Sequence, residues 1–191
     1  MTTVAADPTT LALREDQARL GLWMFLGTVT MLFAAFASAY IVRRSGSDWR
    51  PVALPGMLWL NTAILAASSV ALEAAATSGA SRRWHAARVG VSAALGLGVL
   101  FLAGQVLAWR QMVAAGVYWP TSPHSSFFFM LTGAHAVHVA AALAVLAWGT
   151  TATWSAAHDP RRWRTRIEIC RTFWHYLGGV WLFLFALVSL Y

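Results

Sequence analysis

The chain has 191 residues, 59% of them hydrophobic and only 11% charged. A soluble domain carries about 25% charged residues, so this deficit excludes an ordinary soluble protein and points to a membrane one. The net charge of +7 rests on 14 basic residues, all arginine. They fall between apolar runs rather than on one stripe, which excludes a nucleic-acid module and fits topology determinants and lipid-headgroup partners.

Residues 1–18, "MTTVAADPTTLALREDQA", lack the basic start and short apolar core of a signal peptide and carry Asp7, Glu15 and Asp16. They are expected to form a cytoplasmic N-terminal segment ahead of a retained first span. A hydrocarbon core about 30 Å thick takes roughly 20 residues of helix. The first uncharged run of that length is 20–42, with Thr28 and Thr30 inside it. The second, 51–72, holds Asn61, Thr62, Ser68 and Ser69, with Glu73 just past its cytoplasmic end. The third, 89–109, holds Gln105; the fourth, 125–149, holds Thr132, His135 and His138; the fifth, 172–191, holds Trp174, His175 and Trp181.

Backbone polar groups in lipid must bond within the segment, so each run is predicted to be a helix. Continuous apolarity argues against barrel strands, which alternate. The fold expected is all-α: a polytopic five-transmembrane-helix bundle over 19–191. With the N-terminus inside, the outer connections hold Arg43, Arg44, Arg50 and Arg110, leaving ten of the 14 arginines to the cytoplasmic side. That asymmetry predicts N-in/C-out. "HDPRRWRTRIEICR" is the most basic stretch and reads as a loop at the anionic leaflet; Tyr118 and Trp119 read as interfacial. Small-residue steps at Ala34/Ser38, Gly96/Gly98 and Gly178/Gly179 predict close helix packing.

The intramembrane polar inventory limits the chemistry. No carboxylate lies at mid-depth, and a carboxylate-bridged di-iron site needs Glu and Glu-x-x-His sets, so that site is excluded. A proton pump ordinarily needs an ionisable relay, and only histidines are available here. His135 and His138 lie three apart, on one helix face. They read as metal ligands, as a proton relay, or as hydrogen-bonding links between helices; a three-histidine copper site with His175 is the metal alternative. At 1.5 Å per residue, His138 sits about 20 Å below the outer end of its span and about 10 Å from the inner side. His175 sits about 5 Å above Arg171 on the return helix, at a comparable depth. The reading preferred is structural: His135 or His138 bonds a neighbouring helix, with His175 a candidate partner, and Cys170 packs as a small apolar residue.

"SSFFFMLTGAHAVHV" resembles the Phe-rich Leu-Thr-Gly-x-His-x-x-His motif of haem-copper (cytochrome c) oxidase subunit III. "LGLWMFLGTVTMLFAAFASAYIVRR", "LWLNTAILAASSVALEAA" and "LGLGVLFLAGQVLAW" are similar to three further helices of that family, the last including Gln105 and Trp109. "IEICRTFWHYLGGVWLFLF" resembles its final helix, with Glu168, Trp174, His175 and Trp181 at matching places. The resemblance runs from about Arg19 to Tyr191 and is to the short, five-helix bacterial form. Two intramembrane acids frequent in the family are replaced here, by Val29 and Gly178.

The resemblance implies a non-catalytic subunit of a respiratory terminal oxidase in the bacterial plasma membrane. Such a subunit packs beside catalytic subunit I and subunit II. It holds no haem or copper of its own, those belonging to the partners, and it binds phospholipids. The complex would reduce O2 to water and translocate protons, taking electrons from cytochrome c or quinol. Within this chain, His135, His138, His175, Gln105 and Asn61 are expected to be inter-helix polar residues. Arg171, Trp174, Trp181 and Glu168 are expected lipid or interface contacts. An accessory subunit of nitric oxide reductase is the alternative within this fold; a stand-alone metal or haem electron carrier is the alternative from another class.

Overall fold

Five apolar runs become five long helices. The computed structural model describes residues 8–49, 54–119, 122–155 and 160–190. Residues 1–7 of the N-terminal segment, Arg50, the start of the second run at 51–53, and Tyr191 lie outside the described residues. The helices are α1 (Pro8–Arg43), α2 (Met57–Ala80), α3 (Trp84–Ala114), α4 (Pro123–Ser155) and α5 (Pro160–Leu190). Each contains a stretch long and apolar enough to cross a membrane. Among the described residues there is no strand.

The helices do not end where the charges begin. Once a helix passes the hydrocarbon its backbone bonds still close, so polar flanks continue it. α5 therefore starts at Pro160, inside the basic stretch expected to be a loop. Proline suits a first helical turn, where its missing N–H has no partner to lose. α2 begins only at Met57, after Pro55 and Gly56, and runs to Ala80, so Glu73 lies inside it rather than beyond it. Arg110, expected in an outer connection, lies within α3.

Two turns have explicit C-terminal signals. After α3, Gly116 takes φ +78°, its N–H bonds Val113 O at 3.0 Å and the Val117 N–H bonds Met112 O at 2.9 Å. After α2 the same pair of bonds forms, Arg82 N–H to Gly79 O at 2.9 Å and Arg83 N–H to Ser78 O at 2.9 Å, but Arg82 (φ +57°) occupies the left-handed position. Glycine ordinarily fills that place because it has no Cβ to clash.

α2, α3, α4 and α5 close a ring in which each packs on the next and α5 returns to α2; α1 lies outside, against α4 and α5, and among the described residues it does not pack on α2 or α3. The α2–α3 seam is the tightest. A Cβ on Gly104 would sit 2.0 Å from Asn61 Oδ1, and one on Gly90 would sit 2.8 Å from Ala75 Cβ. Gly98 lets Trp174 and Leu143 approach, a Cβ there meeting each at 2.6 Å. Of the small steps expected to pack helices, Gly98 alone does so. Ala34 and Ser38 are exposed, and a Cβ on Gly96, Gly178 or Gly179 would meet nothing within 4 Å. The sequence step predicts close approach but does not name the partner, and none of the described helices supplies one at these positions.

This packing predicts opposite outcomes for two glycines of one helix. Gly104→Ala must displace Asn61 and is expected to destabilise by about 1–3 kcal/mol. Gly96→Ala gains helix propensity in open space, up to about 1 kcal/mol, and is expected to be neutral or stabilising. Thermal melts of both variants in detergent check this; equal shifts would contradict the seam.

Candidate functional site

Two deep polar side chains, His135 and Trp181, meet at α5. His135, 1% exposed on α4, places Nε2 3.1 Å from Leu177 O on α5. Its ring lies among Trp181 (5.3 Å between centroids), Phe101 (6.0 Å) and Phe33 (6.4 Å). Trp181 donates Nε1–H to Thr62 Oγ1 on α2 at 3.0 Å, and that hydroxyl donates to Leu58 O at 2.9 Å. Thus one imidazole and one indole link α4, α5 and α2 at a single level.

The remaining expected residues separate into distinct environments. His138 turns Nδ1 to Ala134 O of its own helix at 2.7 Å and packs its ring on Phe33 and Phe25 of α1. His175 meets neither His135 nor His138; its Nε2 lies 2.7 Å from Glu73 Oε1. Trp174 is buried, and its Nε1 has no hydrogen-bond partner among the described residues. The same holds for both amide atoms of Gln105 and for Asn61 Oδ1, while Asn61 Nδ2–H makes a long contact of 3.5 Å to Phe101 O. Among the described residues no group of three or more His, Cys, Asp or Glu side chains gathers.

Sequence reasoning missed the ionic contacts. Arg171 grips Glu73 side-on, Nε to Oε1 at 2.9 Å and Nη2 to Oε2 at 2.7 Å, and His175 completes a trio across the α2–α5 seam. Glu168, expected at an interface, accepts from Arg19 of α1 at 2.7 Å. Tyr176 and Thr30 share a 2.8 Å hydroxyl bond higher on the same α1–α5 seam. The signal for the trio was present: Glu73 is the sole acid between Asp48 and Asp159. Ending the second span at that charge hid its place on the helix.

The opposite end of the bundle holds an aromatic box of Tyr40, Trp49 and His124, with centroids 5.1–6.1 Å apart. An open groove of about 790 Å³ beside it is lined in part by Ser38, Ala39, Arg43 and Phe127. There the Arg43 guanidinium holds the Asp48 carboxyl below the usual carboxylate range, chiefly through their hydrogen bonds. A depressed acid stabilises above its unfolded-state pKa, and that contribution is lost as pH falls through its folded value.

Known proteins place the sequence that builds this geometry. The family model for cytochrome c oxidase subunit III matches residues 6–191. The chain belongs to the cytochrome c oxidase subunit III family. Similar curated proteins include cytochrome c oxidase subunit 3 of Synechocystis sp., 28% identical over 92% of this chain and 76% of its own length. Subunit 3 from Bacillus sp. is 26% identical over 97% and 91%. The cytochrome bo(3) ubiquinol oxidase subunit 3 of Pseudomonas aeruginosa is 29% identical over 89% and 83%. Of the two positions expected to stand in place of a family acid, Val29 is buried in the apolar core and a Cβ on Gly178 would meet open space.

The Glu73–Arg171 pair is testable by a double-mutant cycle. Each side chain is 37–40% exposed, so solvent or headgroup screening reduces its worth. Glu73→Leu and Arg171→Leu are each expected to destabilise. Their coupling is expected to be about 0.5–1 kcal/mol, with the double variant recovering part of the loss. Strict additivity in thermal or denaturant melts would contradict a functioning pair.

Proposed function

We propose that this chain is the non-catalytic subunit III of a respiratory terminal oxidase. In this reading it packs against the catalytic subunit I beside subunit II, holds phospholipids and carries no haem or copper. The complex reduces O2 to water and translocates protons. Relatives named for cytochrome c oxidases and one named for a ubiquinol oxidase support either electron donor. The arginine asymmetry supports a multi-pass chain in the bacterial plasma membrane with its N-terminus cytoplasmic.

The observation that carries this reading is the use of the deepest polar groups. His135 and Trp181 bond a backbone carbonyl and a hydroxyl of neighbouring helices. A ring nitrogen engaged this way fixes helix register; metal coordination at that nitrogen would first break the bond.

Affinity purification of the tagged chain in mild detergent tests the proposal. Co-elution of a haem-bearing subunit with oxygen-reducing activity and bound phospholipid is expected. A partner that consumes nitric oxide instead, or recovery of the chain alone while other subunits of the oxidase stay together, would contradict it.

A further inference from the structure

α1 and α2 both pack on α5 but not on each other. The outward face of α5 between them is therefore the floor of a trough. That floor is Arg171, His175, Gly178, Gly179, Leu182 and Ala186, spaced three and four apart on one helix face. Above the charges it is small and open: a Cβ at Gly178 or Gly179 would touch nothing within 4 Å. The α2 wall is equally low, with Ala63, Ala66 and Val70 exposed on the stripe that ends in Glu73.

The lower end of the trough is charged. Glu73, Arg171 and His175 stand on its α2 side and Arg19 with Glu168 on its α1 side. Glu73 lies about 10 Å along α2 from Ala80, at a depth where hydrocarbon begins. The trio's side chains are nonetheless 37–40% exposed. Lipid tails offer such groups no hydrogen bond, which is why ionisable residues at this depth face protein or water. The Glu73 carboxylate is held by Arg171 Nε and Nη2 and by His175 Nε2, while Arg171 Nη1 has no described partner. The Arg171 guanidinium thus keeps an unused donor at the charged end of the trough.

We infer that this trough receives a transmembrane helix of the catalytic oxidase subunit, which carries a carboxylate or other hydrogen-bond acceptor at the level of Arg171. The floor of Gly178, Gly179 and Ala186 lets the two backbones approach closely, the geometry that drives helix association in lipid. The acceptor meets the unused Arg171 donor and covers the trio, so the contact is specific in depth as well as in face. This assignment rests on the proposed function, since it takes its partner from that complex.

Photocrosslinking in native membranes tests it. A benzophenone amino acid is placed at Ala66 or Leu182 in the trough, and at Val99 on the outward face of α3 as control. Capture of the haem-bearing subunit from Ala66 and Leu182 but not from Val99 is expected. Capture of phospholipid alone from the trough, or of the subunit from Val99 alone, overturns the inference. Gly179→Trp fills the trough, while Gly96→Trp adds the same bulk to another open glycine. The first is expected to lose co-elution of the haem subunit and the second to keep it; equal retention counts against the trough. Glu73→Gln with Arg171→Gln keeps the shape but removes the charged array, and a drop in trough crosslinking is expected; unchanged yield overturns the acceptor. If the unsubstituted chain brings down no haem subunit, the proposed function itself fails; if it does and the trough sites capture nothing, only the inference fails.

Discussion

The bundle depends on α5 serving as the common partner. In lipid there is no hydrophobic difference between a helix face against tails and one against another helix, so close packing and hydrogen bonds decide the arrangement. α5 supplies both. Leu177 O meets His135 of α4, Trp181 meets Thr62 of α2, Arg171 and His175 meet Glu73 of α2, and Tyr176 and Glu168 meet Thr30 and Arg19 of α1. α3 is held differently, by glycine contacts with α2 and by Ser68 donating to Ala94 O at 2.9 Å. His135 and Thr62 are met by the inward side of α5, while Arg171 and His175 stand at its open edge. Its outward face, with a spare Arg171 donor and uncovered glycines, is where a neighbour would be engaged.

Much of this architecture was legible in the sequence because bilayer physics leaves few choices. A run of uncharged residues from Ser125 to Gly149 has to be a helix if it crosses hydrocarbon, and five such runs make an all-helical bundle. The resemblance to the subunit III family rested on the same residues, since "LTGAHAVH" and "RTFWHYLGGVW" place imidazoles and indoles within apolar helices. What charge could not mark was helix length. The helix continues through Glu73, Arg110 and Arg166, because α-helical backbone bonds are indifferent to a charged side chain that reaches the interface.

Pairings were the least legible feature. Depth alone made His175 a candidate partner for His138, yet depth does not fix which way a helix turns its faces. Rotation of α5 sends Leu177 toward His135 and His175 toward Glu73. The small residues carried the same ambiguity: Gly98 and Gly178 look alike in sequence, but one is pressed by Trp174 and Leu143 and the other is open. Val29 was legible only as an expected departure from the resembled family pattern, whereas the structure shows its burial. At 2% exposure among apolar neighbours, this place suits valine and would leave an acid costly to bury.

The central claim is that the deepest imidazole works as a helix link and not as a redox or proton-carrying group. It is tested most directly on the purified oxidase carrying His135→Phe, with turnover per haem and the melting of this subunit measured on the same sample. The link to Leu177 O should be worth about 0.6 kcal/mol, and up to about 2, as for other hydrogen bonds between membrane helices. The account predicts an earlier melt with turnover per intact complex unchanged. Loss of turnover with the melt unmoved would make His135 a participant in the chemistry and contradict the account.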